Sequence, residues 1–327
     1  MVSTQQLIGQ GGFGKVFAGC IEGVQCAIKI ISISDDSNTS VRKALQEYEC
    51  MQRVGNHPNI CTPYGGWILS DIKSFVIAME LCYDGDMFEW LQRNKHMPEC
   101  VIRKYFQGLS DALVHMHSKC VVHGDIKLEN IVLRDNVAKF IDFGLSNQVN
   151  SGSQQYDAPE RRSAPSFLRP AVDIWAFGVC VFACAFVFFP FETASASDWR
   201  YKIATKVQEN GQSTCLALCE RYKRSCHICA LTIDVAMRWT GIQLLLCPWM
   251  TAQNAMWNEE MENFQSRARS SEGEVYQAFQ WPPPPPFLKA GGGACRSFGP
   301  PARITFFRII LLPLFLSSAC PRQGISQ

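Results

Sequence analysis

The sequence predicts an α+β chain with two lobes: a small β-rich N-terminal lobe with one main helix, and a larger, mostly helical C-terminal lobe. Apolar and polar residues alternate through residues 4–34 and glycines interrupt them, which is typical of paired strands. Beyond residue 85 the apolar residues recur at helical spacings instead. This change of pattern places the junction of the lobes near Glu80–Asp86.

The individual elements follow from the same patterns. The main helix of the smaller lobe is predicted over residues 40–54, because apolar side chains recur there every three or four residues until Gly55-Asn56. The apolar run 75–79 has the length and composition of a buried strand. In the larger lobe, the spacing predicts helices over 86–93, 99–119, 173–188 and 216–246, with strand-like pieces near 130–141.

The composition is that of a globular protein with a buried core. Of the 327 residues, 47% are hydrophobic and 18% are charged, and the net charge of +2 gives no reason to expect nucleic acid or an anionic membrane as a partner. The sixteen cysteines are scattered through apolar segments, and the first residues do not resemble a signal peptide. We therefore expect reduced thiols in a cytoplasmic or nuclear protein.

One group of cysteines has a spacing that could bind metal. It contains a C-x-x-C pair and consists of Cys215, Cys219, Cys226 and Cys229 with His227. A structural zinc site normally needs two paired ligand sets, and only one pair is present. We interpret these residues as ordinary helix thiols, with zinc binding as the alternative.

Residues 258–327 are predicted to form a low-complexity tail, disordered and rich in proline and glycine. The proline run Pro282–Pro286 is interpreted as a stiff spacer, with a ligand for an SH3 or WW domain as the alternative. The apolar run Ile309–Ala319 is interrupted by a proline and preceded by Arg308, so a tail anchor in a membrane is the less favoured interpretation.

The first chemical signal is a glycine-rich loop followed by a strand. Residues 9–16 have the spacing G-x-G-x-x-G-x-V, in which glycines let backbone amides approach phosphates. Dinucleotide-binding folds share this spacing, but they continue into a helix, whereas residues 25–29 have the pattern of a strand. Lys29, at the end of that strand, could pair with phosphate oxygens.

The second signal is a set of oxygen-bearing side chains at Asp125, Asn130 and Asp142. Phosphoryl transfer needs a carboxylate that faces the substrate hydroxyl, and oxygen ligands that hold magnesium on the phosphates. Lys127 could neutralise charge on the transferring phosphoryl group. Each residue alone would be an ordinary surface group, but their order after the glycine loop and Lys29 indicates a phosphotransferase.

Taken together, these motifs resemble the eukaryotic protein kinase superfamily. The resemblance includes His123-Gly124-Asp125, Asp142-Phe143-Gly144 and Ala158-Pro159-Glu160, and it continues to Met250. It implies the two-lobed protein kinase fold, ATP and Mg²⁺ as cofactors, and protein substrates. The late segment looks most like the calmodulin-dependent kinase group. The implied kinase domain covers residues 1–257, with the N-lobe at about 1–81, the hinge at 80–86 and the C-lobe at about 86–257.

The resemblance assigns a role to each matching residue. Lys29 would hold the ATP phosphates and pair with Glu47 rather than Glu49, and Met79 would be the gatekeeper beside the adenine. The full set implied for ATP binding is Ile8, Gly9, Gly11, Gly12, Gly14, Val16, Ala27, Lys29, Glu47, Met79, Glu80, Cys82, Asp86 and Val132.

The resemblance also implies the chemistry. Asp125 would be the catalytic base, assisted by Lys127, and Asn130 and Asp142 would be the magnesium ligands. Lys127 is typical of serine/threonine kinases, and Ser153 matches a loop position that supports the same interpretation. The alternative is a pseudokinase that binds nucleotide or acts as a scaffold.

Two further expectations concern the C-terminal lobe and its substrates. Arg238 would be the buried partner of Glu160. The acids Asp86 and Glu129 would favour substrates with basic residues upstream of the target hydroxyl.

Gly124 stands where the family has an arginine that binds a phosphate on the activation loop, which corresponds to residues 145–157 here. We therefore expect activity without such a phosphate, and the alternative is that Lys139 or Arg161 replaces the missing arginine.

Overall fold

The computed structural model of the chain describes residues 2–11, 14–33, 38–69, 73–95, 97–146, 153–161, 169–209 and 229–251. Several sequence-based predictions lie outside these residues: Gly12, Cys215, Cys219, Cys226, His227, the run Pro282–Pro286, the run Ile309–Ala319 and the tail in general. The described residues divide into two compact units. The first contains the chain up to Gln52 together with Thr62–Leu81, and the second contains Arg53–Cys61 and the chain from Cys82 onward.

The first unit is an antiparallel sheet of five strands with one long helix. The strands are β1 (Val2–Gly11), β2 (Gly14–Ile21), β3 (Val24–Ser32), β4 (Pro63–Leu69) and β5 (Ser74–Glu80), in the order β1-β2-β3-β5-β4, and the helix is α1 (Asn38–Val54). Every residue of β5, which lies between β3 and β4, is buried. The predicted strands and the predicted helix are confirmed. Strand β4 was not predicted, because glycines interrupt its apolar pattern.

Two glycines allow close packing in this unit. Gly14 begins β2 at a φ of +127°, and a Cβ there would clash with the carbonyl oxygen of Ile30 on β3. Gly66 of β4 faces the ring of Tyr48 on α1, and a Cβ would lie 2.9 Å from that ring. Tyr48 also packs against Phe75 of β5, with ring centroids 6.2 Å apart. The helix can therefore approach the sheet closely.

The second unit is mostly helical. Its elements are α2 (Met87–Asn94), α3 (Glu99–Ser118), the 3-10 turn Leu128–Asn130, β6 (Ile131–Arg134), β7 (Val137–Phe140), α4 (Arg169–Phe186), α5 (Trp199–Glu209), the 3-10 turn Cys229–Leu231, α6 (Gly241–Leu245) and α7 (Pro248–Thr251). Strands β6 and β7 form a hairpin. With the sheet of the first unit, this arrangement confirms the predicted α+β fold, with a β-rich N-terminal lobe and a mostly helical C-terminal lobe.

Helix α4 forms the core of the second unit. Its residues are buried without interruption from Val172 to Ala185. Phe177 of α4 meets Phe106 of α3 edge to face, with ring centroids 5.2 Å apart. Within the described part of the chain, α4 alone is long and apolar enough to cross a membrane, and most of it is buried in this unit. Its apolar composition is thus explained by packing against its neighbours.

The helix predicted over residues 216–246 is wrong between 232 and 240, where the structure has turns and extended chain. Thr240 begins the short helix α6 instead, with a capping box in which its Oγ1 accepts from the backbone N of Gln243. The preceding turn holds Arg238, whose side chain points into the unit and is fully buried. The polar contacts of these two residues outweigh the apolar spacing that suggested one continuous helix.

Arg238 forms the predicted buried pair with Glu160. Its Nη1 and Nη2 donate to the two carboxylate oxygens of Glu160 over 2.5 and 3.0 Å. The guanidinium also donates to the carbonyl of Ala171 and lies 4.9 Å from the ring centre of Trp175. This cluster joins Glu160 and the turn that holds Arg238 to the start of α4.

Replacing Arg238 with methionine is expected to lower the free energy of unfolding by about 3–5 kcal/mol, because Glu160 would keep a largely buried charge without its partner. Equilibrium unfolding in urea measures the change. The control is Arg93→Met, which breaks a more exposed pair with Glu89 on α2 and should cost about 1 kcal/mol or less. Equal losses in the two variants would contradict a special role for the buried pair.

Candidate functional site

The first unit contains a buried ion pair between sheet and helix. Lys29 lies on β3 and Glu47 on α1, and Lys29 Nζ is 2.5 Å from Glu47 Oε1. Both side chains are only 2% exposed, so each charge needs the other, because an isolated charge is very unfavourable away from water. Glu49, the other acid considered as the partner, is exposed. The structure therefore pairs Lys29 with the acid chosen from the sequence.

Other residues implied for adenine binding lie on strands of the same sheet as Lys29. Val16, Ala27 and Met79 are buried, and Ala27 is paired in register with Met79 across β3 and β5. Ile8 and Gly9 are half-buried on β1. Strand pairing alone thus brings three of these apolar side chains into one unit with the ion pair.

The predicted hinge residues are divided between the units. Glu80 ends β5, and its amide donates to the carbonyl of Thr62 within the first unit. Cys82 is half-buried in the second unit. There Asp86 forms a β-bridge with Val132, and its carboxylate caps the first turn of α2. Gly11 and Gly14 lie at the adjoining ends of β1 and β2 in the first unit.

The second unit gathers the residues predicted for chemistry around one carboxylate. Asp125 is 5% exposed. Lys127 Nζ donates to its Oδ2 over 2.6 Å, and Asn130 Nδ2 donates to the same oxygen over 3.1 Å. Ser153 Oγ donates to Oδ1 over 3.3 Å and accepts from Lys127 Nζ over 3.2 Å. A serine distant in sequence thus completes the set.

The acidic neighbours of Lys127 favour its protonated, charged form. Burial alone would lower the pKa of Lys127, but the charge of Asp125 and the hydrogen bond to it, with the charges of Glu129 and Asp142, raise that pKa above its ordinary value. Lys127 therefore remains protonated at neutral pH, and a fixed positive charge stands beside Asp125.

Asp173 of α4 anchors the backbone that precedes Asp125. Its Oδ2 accepts from the amide of His123 over 2.8 Å, and its Oδ1 accepts from the amide of Gly124 over 2.9 Å. His117 Nε2, on α3, lies 2.9 Å from Oδ2. Burial alone would raise the pKa of Asp173, but the hydrogen bond and charge of His117, the charge of His123 and the amide of Gly124 hold it below its ordinary value.

This anchoring role was not predicted from the sequence. A signal was nevertheless available, because Asp173 is the one acidic residue in the apolar helix α4. Acids are rarely fully buried unless they have partners, so its position required a polar contact inside the unit.

Glu129 and Tyr156 form a second polar contact in residues 123–130, the segment that carries Asp125 and is called the catalytic segment below. The hydroxyl of Tyr156 donates to Glu129 Oε2 over 3.1 Å and accepts from the amide of Leu128 over 3.4 Å. Burial raises the pKa of both Glu129 and Tyr156. The tyrosine thereby ties residues 153–161 to the segment that carries Asp125.

Comparison with known proteins agrees with this geometry. The profile of the protein kinase domain matches residues 2–250. The chain belongs to the protein kinase family. Similar curated kinases include the hormonally up-regulated neu tumor-associated kinases of mouse and human, both 35% identical over 191 residues. Homolog A of that kinase in Xenopus laevis is also 35% identical over 191 residues.

The matched region covers 54% of this chain and 26% of the mouse and human proteins. The chain thus spans about a quarter of the length of these relatives. Membership of the family implies the use of ATP and a divalent metal ion.

The residues present fit such a metal. Asn130 uses its amide nitrogen on Asp125, and its amide oxygen is the atom that could ligate a cation. The amide of Ile141 donates to the carbonyl of Asn130, which brings the neighbouring Asp142 close to Asn130. Asp142 has a φ of +64°, in the left-handed region, which aspartate enters more readily than most other residues.

Oxygen atoms from one amide and one carboxylate suit Mg²⁺, which is commonly held by one or two carboxylates and the substrate phosphates. No cluster of three or more His, Cys, Asp or Glu side chains suited to a metal occurs in the described ranges. The two-residue set is consistent with a metal that arrives with a nucleotide.

Proposed function

We propose that this protein is a serine/threonine kinase that transfers the γ-phosphoryl group of ATP to hydroxyls of protein substrates. The observation that carries the proposal is the carboxylate of Asp125, held by Lys127, Asn130 and Ser153. A base fixed by donors, next to a protonated lysine, is what phosphoryl transfer to a hydroxyl requires.

In the proposed reaction Asp125 takes the proton of the substrate hydroxyl. The hydroxyl oxygen forms its bond to the γ-phosphorus while the bond from that phosphorus to the β,γ-bridging oxygen breaks, and ADP leaves. Lys127 is charged and in contact with Asp125, so it can stabilise the negative charge that spreads over the phosphoryl oxygens. Donors that are already ordered need not reorganise during the reaction.

The nucleotide would be held by the remaining predicted residues. Lys29, fixed by Glu47, would bind the α- and β-phosphates, and the buried apolar residues of β2, β3 and β5 would contact adenine. Asn130 and Asp142 would hold Mg²⁺, which when bound neutralises phosphate charge. The catalytic domain is assigned to residues 1–257.

The preference for serine and threonine is supported by Lys127 and Ser153. Lys127 occupies the position typical of serine/threonine kinases, and it is hydrogen-bonded to both Asp125 and Ser153. Residues 153–161 are thereby ordered beside Asp125. We also propose that the kinase is most like the calmodulin-dependent group, on the resemblance of its late segment.

A peptide array tests the proposal directly. Peptides with serine or threonine at the target position should be phosphorylated faster than matched tyrosine peptides by about 100-fold or more, because the fixed base is set for one hydroxyl position. The readout is transfer of radiolabel from ATP by the full chain. Comparable rates on tyrosine peptides would contradict serine/threonine specificity.

The same array tests the preference for basic residues upstream, which Asp86 and Glu129 would favour. Replacing upstream arginines by glutamates in the peptides should lower the rate. Unchanged rates would remove this part of the proposal.

A further inference from the structure

We propose that Arg161 is a positioning residue of this kinase, whose guanidinium holds the carbonyl of Gly124 and thereby orients Asp125 without a phosphate on the activation loop. The inference rests on the proposed function, because it concerns how the proposed base is held. It goes further by naming the cation that holds the backbone at Gly124 and by predicting activity that does not depend on a phosphate on the activation loop.

The contact that motivates the proposal lies inside the second unit. Arg161 Nη2 donates to the carbonyl oxygen of Gly124 over 2.5 Å. Arg161 is 9% exposed, and its amide donates to the carbonyl of Ala158, so a tight turn fixes the start of the side chain. The guanidinium therefore reaches the catalytic segment from a fixed point on the chain.

Gly124 is a residue that needs such external support. It has a φ of +77°, a region that glycine enters freely, and it contributes no side chain of its own to hold the backbone. Its amide is bound by Asp173, and its carbonyl is bound by Arg161. The amide of Gly124 is thus bound by a negative charge, and its carbonyl is bound by a positive charge. The peptide bond that leads directly into Asp125 is constrained as a result.

The charge of Arg161 has a neighbour of opposite sign. Arg161 Nε lies 3.4 Å from Asp157 Oδ1, four residues earlier on the same turn. In a phosphate-dependent switch, a loop phosphate would balance the positive charge beside the base. Here a carboxylate of the chain already takes that place. The positive charge of Arg161 therefore has a carboxylate beside it in the unphosphorylated protein.

Two variants of Arg161 and one control distinguish an effect on the position of Asp125 from a general loss of protein stability. Arg161→Met keeps the length and apolar bulk but removes the donor, and Arg161→Lys keeps a positive charge without the planar fork. The control is Arg103→Met, a second buried arginine paired with a carboxylate, Glu99, and packed on Trp249. Its partner Glu99 begins α3, and among the described residues Glu99 has no hydrogen bond to Gly124 or Asp125.

Turnover is measured on the full chain after phosphatase treatment, with mass spectrometry to show that the loop carries no phosphate. Arg161→Met should lower kcat by about 10-fold to 100-fold with the KM for ATP within twofold, because a base displaced by about 1 Å loses this much. Arg161→Lys should have a kcat between those of Arg161→Met and the parent. Arg103→Met should lower Tm and leave kcat unchanged well below Tm.

Hydrogen exchange gives a readout that does not depend on catalysis. The amides of His123 and Gly124 should exchange faster in Arg161→Met than in the parent and in Arg103→Met. If the parent shows no kinase activity, the proposed function fails, while this exchange experiment still decides whether Arg161 orders the segment. If Arg161→Met does not fold, Arg161→Lys decides in the same way, with a several-fold loss of kcat expected.

Three results would overturn the proposal. The first is a parental kcat in the Arg161 variant that folds. The second is unchanged exchange at His123 and Gly124. The third is collapse of parental turnover on dephosphorylation with recovery when the loop phosphate returns, since control would then belong to the phosphate.

Discussion

Asp125→Asn is expected to reduce phosphoryl transfer by about 100-fold or more, while the affinity for nucleotide changes by no more than a few-fold. The amide retains the size of the carboxylate and can still accept from Lys127, but it cannot take the proton of a substrate hydroxyl. Residues proposed to bind nucleotide are unchanged in this variant. Turnover on a serine peptide and binding of a fluorescent ATP analogue are measured together.

The matched control for this variant is Asp111→Asn. Asp111 lies on α3, is 58% exposed at its side chain and contacts only His57 among its side-chain partners in the described chain. The same loss of charge there should leave turnover at the parental value. Turnover of Asp125→Asn within a few-fold of the parent would show that another group is the base. A parent that binds nucleotide without any transfer would favour the pseudokinase alternative.

Lys29→Met is expected to lower kcat/KM for ATP by about 100-fold, because the phosphates lose the group that positions them. The change also leaves Glu47 buried without its partner, so some loss of stability is expected. The control is Lys43→Met, which removes an exposed lysine on the same helix as Glu47 and should change neither property.

A double variant separates the two effects of losing Lys29. Lys29→Met with Glu47→Leu removes both charges, and it should recover most of the lost thermal stability, since a buried pair can be replaced by apolar groups at little cost. It should not recover activity. Recovery of activity in the double variant would mean that Lys29 acts only by neutralising Glu47, and parental activity in Lys29→Met would show that another lysine binds the phosphates.

Much of the fold could be predicted because the buried parts of helices and strands leave apolar residues at recognisable spacings in the sequence. The helical spacing of α1 reflects one buried face, whereas β3 buries the four consecutive residues Cys26–Lys29 and shows an apolar run. Strand β4 lacks that signal because Gly65 and Gly66 occupy positions where an apolar side chain would show it. The turn at 232–240 was mistaken for helix because the spacing of apolar residues does not reveal a buried guanidinium.

The sequence predicts which residues belong to the candidate site, but it does not always predict which groups they contact. Motif spacing indicates Asp125, Asn130 and Asp142, since the chemistry requires those groups in that order. It does not choose between Lys139 and Arg161 as the cation near Gly124, because both are basic and the choice depends on a tight turn at Ala158. Such partnerships arise from tertiary structure and have no local pattern.

The anchoring of the catalytic segment on α4 has a consequence for substitutions that lie far from the candidate site. Asp173 sits within the most continuously buried stretch of the second unit, so its position is set by the apolar side chains that pack around it. A cavity opened near Phe177 would shift the carboxylate that holds His123 and Gly124, because packed interiors transmit strain. Substitutions with no contact to any substrate can therefore impair the chemistry, and selection for catalysis extends into the hydrophobic interior.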